Sequence, residues 1–396
     1  MTQDVAENLS ANRKPFQFMG TGGEFFKIWI VNILLSILTL GIYSAWAKVR
    51  TNRYFYGNTQ LNGDNFEYHA TPIQILKGRL IAFAVLVTFV FLDNLNPIFG
   101  GITAVVIMFA TPWIIWNALK FNARMCSYRN VHFNLQGKLR KAYEIMLWLP
   151  LAPVLILGAL GGLAYHLGAT TEALLGLASV GILAIYLMIP LIQGMFQNFY
   201  VNSARFGQGQ FKAKISAGFF YWMYLKLLLI ALVVIVAAVI VPSIFLGGVT
   251  AISALSQGPD LVMSSMNNRI AMILIPLTVV VYVLFGIWSK AYIQVNIRNY
   301  TLNQTSLDQV VSFESKMTVW GLFKLQAVNL LLMIVSLGFA KPWVDVRKAR
   351  YSADSLIAEV EGDLGQYVSD QQAKQSALTD EMGEAFDVDS DLGLAV

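Results

Sequence analysis

Two asparagines and one lysine stand inside otherwise apolar stretches: Asn32 in FKIWIVNILLSIL, Asn329 in FKLQAVNLLLMIV and Lys226 in FFYWMYLKLLLIAL. An amide in such a place either hydrogen-bonds to a neighbouring helix or lines a pore. An ammonium either contacts an anionic headgroup or solute, or snorkels along its own stem to the interface. Lys27 and Lys324 sit in similar places, a turn or two inside their runs. The three histidines, His69, His132 and His166, fall in three separate connections. The carboxylates Glu24, Asp93, Glu144 and Glu172 stand near the ends of apolar runs. None is placed mid-run, where an ionisable group marks an ion or proton path. There is no nucleophile elbow, Walker A motif or dinucleotide fingerprint. The one cysteine, Cys126, rules out an internal disulfide or a cysteine cluster on metal. The glycine-rich stretches MGTGGEFF and RFGQGQF follow no strand of a βαβ unit and read as flexible approaches to helices. These observations imply a chain that is not an enzyme, carries no cofactor or metal and binds no nucleic acid.

The elements that hold these residues are apolar runs at about 25–47, 80–96, 98–118, 145–166, 173–196, 219–247, 270–289 and 319–340. The composition agrees with a bilayer as solvent: 56% of the residues are hydrophobic and only 13% charged, about half the charge of a soluble domain. Lys and Arg cluster in the connections 48–79, 119–144, 197–218 and 290–318. They are absent from 93–97 and 166–172, and 248–269 holds only Arg269. Six runs therefore pair into three helical hairpins whose positive connections face the cytoplasm. Runs 25–47 and 319–340 carry positive charge on both flanks, and two readings remain. Both cross, with both termini outside against the charge rule. Or both dip in and return, or lie at the interface, with cytoplasmic termini. The expected fold class is an all-α polytopic membrane protein, with six to eight transmembrane helices and short cytoplasmic β-hairpin-like loops. Residues 1–24 form a cytoplasmic N-terminal segment, 25–354 the membrane domain and 355–396 an acidic tail whose composition reads as flexible or loosely docked on the basic loops.

The two odd runs are repeats of one another. Residues 26–54 and 323–351 align without gaps and match at Asn32/Asn329, Gly41/Gly338, Trp46/Trp343, Arg50/Arg347, Arg53/Arg350 and Tyr54/Tyr351. Chance matching of leucines does not readily place Asn, Gly, Trp, two Arg and Tyr in one register. A weaker echo follows each hairpin, where an Arg near a helix exit (Arg124, Arg205, Arg298) leads into a short polar and aromatic stretch. Around Asn62–Gly63 this stretch has the form of a β-hairpin with a two-residue turn. Five such units would fill the chain.

The motifs GTGGEFFKIWIVN at 20–32, LTLGIYSAWAKVR at 38–50 and RYFYGNT at 53–59 resemble the opening of the bacterial family typified by the inner membrane protein YjgN. The resemblance extends over the whole chain. It implies a multi-pass protein of the inner membrane with the lipid bilayer as its surroundings, and it implies no catalytic residue, ligand or protein partner. The architecture then points to transport or permeation of a small solute. The alternative is a non-enzymatic membrane scaffold or envelope-associated protein acting through its cytoplasmic loops. A reporter active only in the periplasm, fused at residue 10 or 390, is expected to be silent at both ends. Activity at both ends would mean that 25–47 and 319–340 cross.

Overall fold

The structure, a computed structural model, describes residues 13–256 and 261–375. Each polar and aromatic stretch between helical pairs reverses at a tight turn that demands positive φ. Asn62–Gly63 (52° and 88°), Arg129–Asn130 (48° and 63°) and Asp308–Gln309 (48° and 62°) carry the type I′ pattern, and Gly207 (57°) opens the fourth turn. Ten strands result among the described residues: β1 (Arg13–Phe18), β2 (Thr59–Leu61), β3 (Asp64–Tyr68), β4 (Cys126–Tyr128), β5 (Val131–Leu135), β6 (Ala204–Phe206), β7 (Gly209–Ala213), β8 (Thr305–Leu307), β9 (Val311–Ser315) and β10 (Leu356–Val360). Between them run helices α1 (Gly22–Leu38), α2 (Ser44–Gly57), α3 (Pro72–Leu95), α4 (Pro97–Arg124), α5 (Leu139–His166), α6 (Thr171–Ser203), α7 (Ala217–Ser256), α8 (Leu261–Asn303), α9 (Val319–Val335) and α10 (Lys341–Asp354). Glu144–Trp148 makes a π-helical turn within α5. A last helix, α11, occupies 364–375.

The architecture is one unit used five times, strand–helix–helix–strand. The two strands of each unit pair antiparallel, β1 with β2, β3 with β4, β5 with β6, β7 with β8 and β9 with β10. The turns join one unit to the next, and β1 pairs with β10 to close a barrel. The paired helices α1 to α10 therefore leave from one end of the barrel, and all four turns lie at the other. Isolated two-stranded hairpins are marginal in water, and closure removes every open edge. The expected hairpin loops are thus parts of a single sheet, and the chain is helical with a barrel rather than all-α. The barrel interior repeats as well. Phe16, Phe66, Phe133, Phe211 and Phe313 occupy equivalent places on the first strand of each unit, with ring centroids 6.0 Å apart for Phe16–Phe66, 6.4 Å for Phe66–Phe133 and 6.2 Å for Phe211–Phe313.

Arginines stitch neighbouring units together. Arg53 donates to the Ala70 carbonyl at 3.4 Å, Arg124 to Asn134 Oδ1 at 3.2 Å, Arg298 to Ser352, and Arg350 to the Gly20 carbonyl at 2.9 Å, joining the fifth unit to the first. These arginines do not share one register, because Arg53 and Arg350 stand a helical turn and a half before their strands and Arg205 lies within β6. What recurs is an aromatic residue five positions before the second strand of each unit: Tyr54, Phe121, Phe199, Tyr300 and Tyr351. The tyrosines hold the start of their own helical pair. The Tyr54 hydroxyl accepts from the Thr21 N–H at 2.8 Å, that of Tyr300 from Ser216 at 3.0 Å and that of Tyr351 from Thr318 at 3.3 Å.

Among the described residues six helices, α3 to α8, are long and apolar enough to cross a membrane. The polar stretch 248–269, expected as a break, is helical up to Ser256 and again from Leu261, because a helix need not end where its apolar window does. Residues 257–260 lie outside the described residues. Runs 25–47 and 319–340 are not continuous helices. Each breaks at a matched left-handed pair, Leu40–Gly41 (φ 49° and 91°) and Leu337–Gly338 (50° and 91°). The Gly41 N–H bonds back to the Ser36 carbonyl at 2.7 Å and that of Gly338 to Met333 at 2.9 Å, the six-to-one closure of a helix C-terminus. The chain then returns through α2 or α10 to the barrel. The tips are apolar and bare, with Leu40 96% and Leu337 88% exposed. Both ends of the described chain, 13 and 375, therefore lie on the barrel side.

The expected boundary at 354/355 falls just before the last barrel strand. Residues 356–360 are β10, and α11 lies across the turn end of the barrel. Tyr367 donates to Asp308 at 2.8 Å, Gln371 accepts from the Gln208 N–H at 2.9 Å and Gln372 donates to the Arg129 carbonyl at 2.5 Å. Residues 376–396, the remainder of the acidic segment, and 1–12 lie outside the described residues. The MGTGGE stretch serves close approach, since Gly22 packs directly under the Trp343 ring and a Cβ there would overlap it. Gly338→Ala is expected to lower the melting temperature in detergent, at a cost of about 1 kcal/mol for a side chain at positive φ. Gly158→Ala, in the interior of α5 with equally open surroundings, is expected to leave it unchanged or raise it. Equal effects would show that the α9–α10 turn is not left-handed.

Candidate functional site

Closure of the barrel sets the first and fifth units side by side, and these are the two with short helical pairs. Trp343 of α10 packs on Phe26 of α1 at 5.2 Å between ring centroids. Beside each short pair a cavity opens. The larger, about 980 Å³, lies between α9, α10, α8 and the end of α6. The smaller, about 500 Å³, lies between α1, α2 and the start of α3. The walls that the short pairs contribute correspond. Gln326, Asn329, Leu330, Met333, Val344 and Lys348 line the first. Their repeat partners Trp29, Asn32, Ile33, Ser36, Ala47 and Thr51 line the second.

The larger cavity is polar on one side. Lys290, Gln294 and Arg298 project from successive turns of α8, the four-residue spacing that aligns side chains on one face. Gln193 and Gln197 of α6 face them, with Gln326 and Lys348 across the cavity. Gln326 Nε2 donates to Gln294 Oε1 at 2.8 Å. Three cations therefore share the lining, and among the described residues no carboxylate joins them. Apolar side chains, among them Ile287, Leu322 and Met333, complete the wall. Asn329 is 2% exposed, and neither its Oδ1 nor its Nδ2 has a protein partner. Arg298 turns its guanidinium to Ser352 yet leaves Nε unpartnered. Buried polar atoms without partners are costly, so these are the atoms a bound polar group would satisfy. Beside the smaller cavity Arg50 donates to Asn32 Oδ1 at 3.4 Å and to the Tyr43 hydroxyl at 3.0 Å, while Asn32 Nδ2 has no protein partner. Its counterpart Arg347 makes no such bond to Asn329. The two repeats thus differ at the amide oxygen, which is bonded in Asn32 and unpartnered in Asn329.

Of the three polar positions singled out in the sequence, Asn329 and Asn32 each line a cavity, and the two cavities are separate. Lys226 lines neither. It lies exposed on α7 with its ammonium 5.0 Å above the Trp222 ring, an arrangement of cation on aromatic face. Trp46 stacks on Tyr43 at 6.1 Å. His69 and His132 meet on the barrel, their rings 4.9 Å apart, with His69 Nε2 2.7 Å from Ser127 Oγ. His166 ends α5 at the far end of the bundle. Sequence reading missed Gln193, Gln197, Lys290, Gln294, Arg298, Gln326 and Lys348. The signal was a polar stripe at helical period, Lys290–Gln294–Arg298, emerging from an apolar run.

The family described as "Bacterial protein of unknown function (DUF898)" matches residues 13–385. Curated relatives match most of the chain. An "Inner membrane protein YjgN" of Salmonella typhimurium is 29% identical over 91% of this chain and 92% of its own length. Proteins of the same name from Escherichia coli O157:H7 and K12 are 25% and 24% identical, each over 86% of this chain and 87% of its own. No solved structure matches the chain. With six long apolar helices, these relatives support a multi-pass protein of the inner membrane.

Proposed function

The chain belongs to the DUF898 family of bacterial inner membrane proteins, and we propose that it takes up a small anionic solute in the cavity lined by Lys290, Arg298, Lys348 and Asn329 and passes it across the inner membrane. One observation carries the reading: a 980 Å³ cavity beside the short fifth helical pair that gathers three cations without a carboxylate and holds a buried amide with no partner. Like charges collected in a low-dielectric wall raise the local concentration of the opposite ion. The apolar wall opposite suits a solute with a hydrocarbon part or a lipid-facing entrance. The protein acts without covalent chemistry, and the residues around the cavity offer binding and passage. The positive connections 48–79, 119–144, 197–218 and 290–318 are those that form the barrel side, so the charge rule sets the barrel in the cytoplasm. The short helical pairs then dip into the membrane from that side.

A scaffold role has its own support in the barrel, whose turn end is ordered and covered by α11. The two readings part on anion binding. Inorganic phosphate or sulfate at saturating concentration is expected to raise the melting temperature of the purified protein by a few degrees, as a ligand of the folded state does. Labelled anion is expected to exchange into proteoliposomes. Lys290→Gln combined with Lys348→Gln should reduce the exchange about tenfold while the fold is retained. Wild-type protein that neither gains stability from the anions nor exchanges them would overturn transport and leave the scaffold.

A further inference from the structure

Eight strands make a barrel that side chains just fill. The ten strands here enclose a lumen with a cavity of about 340 Å³. Its wall is hydrocarbon, built on the ring of Phe16, Phe66, Phe133, Phe211 and Phe313. The hydroxyls of Tyr128, Thr305 and Tyr367 beside it are already used. The Tyr128 hydroxyl donates to the Leu61 carbonyl at 2.8 Å, and burial pushes this phenol up to about 12. The Thr305 hydroxyl donates to the Thr301 carbonyl at 2.6 Å. Water has no partners in such a space, and apolar cavities of this kind take apolar guests.

The two ends of the lumen differ. At the turn end α11 is a lid. Its Leu364 and Val368 are buried in the barrel core, while Tyr367, Gln371 and Gln372 bind the rim at three separate turns. At the membrane end the lumen is bounded by Tyr200 and Val201 of α6 and Leu302 of α8. Leu302 also lines the large polar cavity, so the lumen abuts the space that faces the membrane.

We propose that the barrel lumen binds a single linear hydrocarbon chain, that of a fatty acid, with α11 as its stop. The volume corresponds to about eleven waters at roughly 30 Å³ each. A methylene needs similar space, which sets the chain at medium length and leaves no room for the paired chains of a phospholipid. This inference uses the lumen alone and stands whether or not the polar cavity carries anions.

The test is a medium-chain fatty acid bearing a terminal diazirine, photolysed with the full-length protein in nanodiscs and mapped by peptide mass spectrometry. Adducts are expected on β3, β5, β7, β9 and α11, displaced by excess unlabelled acid. Val311→Trp, which fills the lumen, should lower those adducts about tenfold while labelling of the outer faces of α3 to α8 persists. If Val311→Trp does not fold, Val368→Trp on the lid carries the same test. Adducts confined to the outer helical faces, or lumen adducts indifferent to competitor and to the filling variants, would overturn the proposal.

Discussion

The pairing of β1 with β10 is the contact on which the rest of this molecule depends. Strands of three to six residues hold no stable sheet by themselves. Each needs a partner on both sides, because unpaired backbone groups are costly once water is excluded. Nine of the ten neighbouring strand pairs lie within a unit or between consecutive units. The tenth joins residues at opposite ends of the chain, Arg13 to Glu359 and Pro15 to Ile357. Arg13 reinforces it with ion pairs to Glu359, at 2.8 Å, and to Glu314. Such partly exposed pairs contribute little stability, and register is their more plain effect. With the ring closed, the ends of the described chain lie at the turn end, and the helices α1 to α10 leave from the opposite end.

The polar cavity lies on the other flank of the fifth unit, against α8 and α6. Three units carry long helical pairs and two carry short ones, and the ring makes the short ones neighbours. Polar residues on the barrel-near part of α8 and α6 face the short fifth pair across this cavity, with Gln326 bonded to Gln294. Duplication supplied both short pairs with an asparagine at the same place, Asn32 and Asn329. The surroundings then diverged. Arg50 donates to the Asn32 oxygen, while both amide atoms of Asn329 stand unpartnered in the cavity lined by Lys290, Arg298 and Lys348. One ancestral packing position has become two different cavities.

Much of this was legible in the sequence. The helical pairs follow from apolar runs and charged connections, the fifth unit's kinship with the first from the matched Asn, Gly, Trp, Arg and Tyr, and the turn at Asn62–Gly63 from its residue types. The barrel was not, because a three-residue strand such as Ala204–Phe206 has no period to read and its pairing is non-local. The phenylalanine ring was visible only in part. Phe66, Phe133 and Phe211 each follow their turn by three residues, whereas Phe313 follows by four, since the β8–β9 connection is one residue longer. The crossing of 25–47 was undecidable from length, as a run that spans and a run broken at Leu40–Gly41 have the same composition. The polar stripe on α8 was hidden because lysine and arginine near a helix end ordinarily signal only the interface.

The closed ring is tested most directly by cysteine pairing across its seam in native membranes. Native Cys126 is buried and distant in register from the seam. Cysteines at Pro15 and Ile357, directly opposed on β1 and β10, lie within the Cα separation that a disulfide requires. Cysteines at Gln17 and Glu359 are offset by several residues along the same two strands and lie beyond it. Mild oxidation is expected to link the first pair, seen as a shift in gel mobility reversed by reductant, and to leave the second unlinked. Failure of the first pair to link, or equal linkage of both, would contradict a barrel closed by the two ends of the chain.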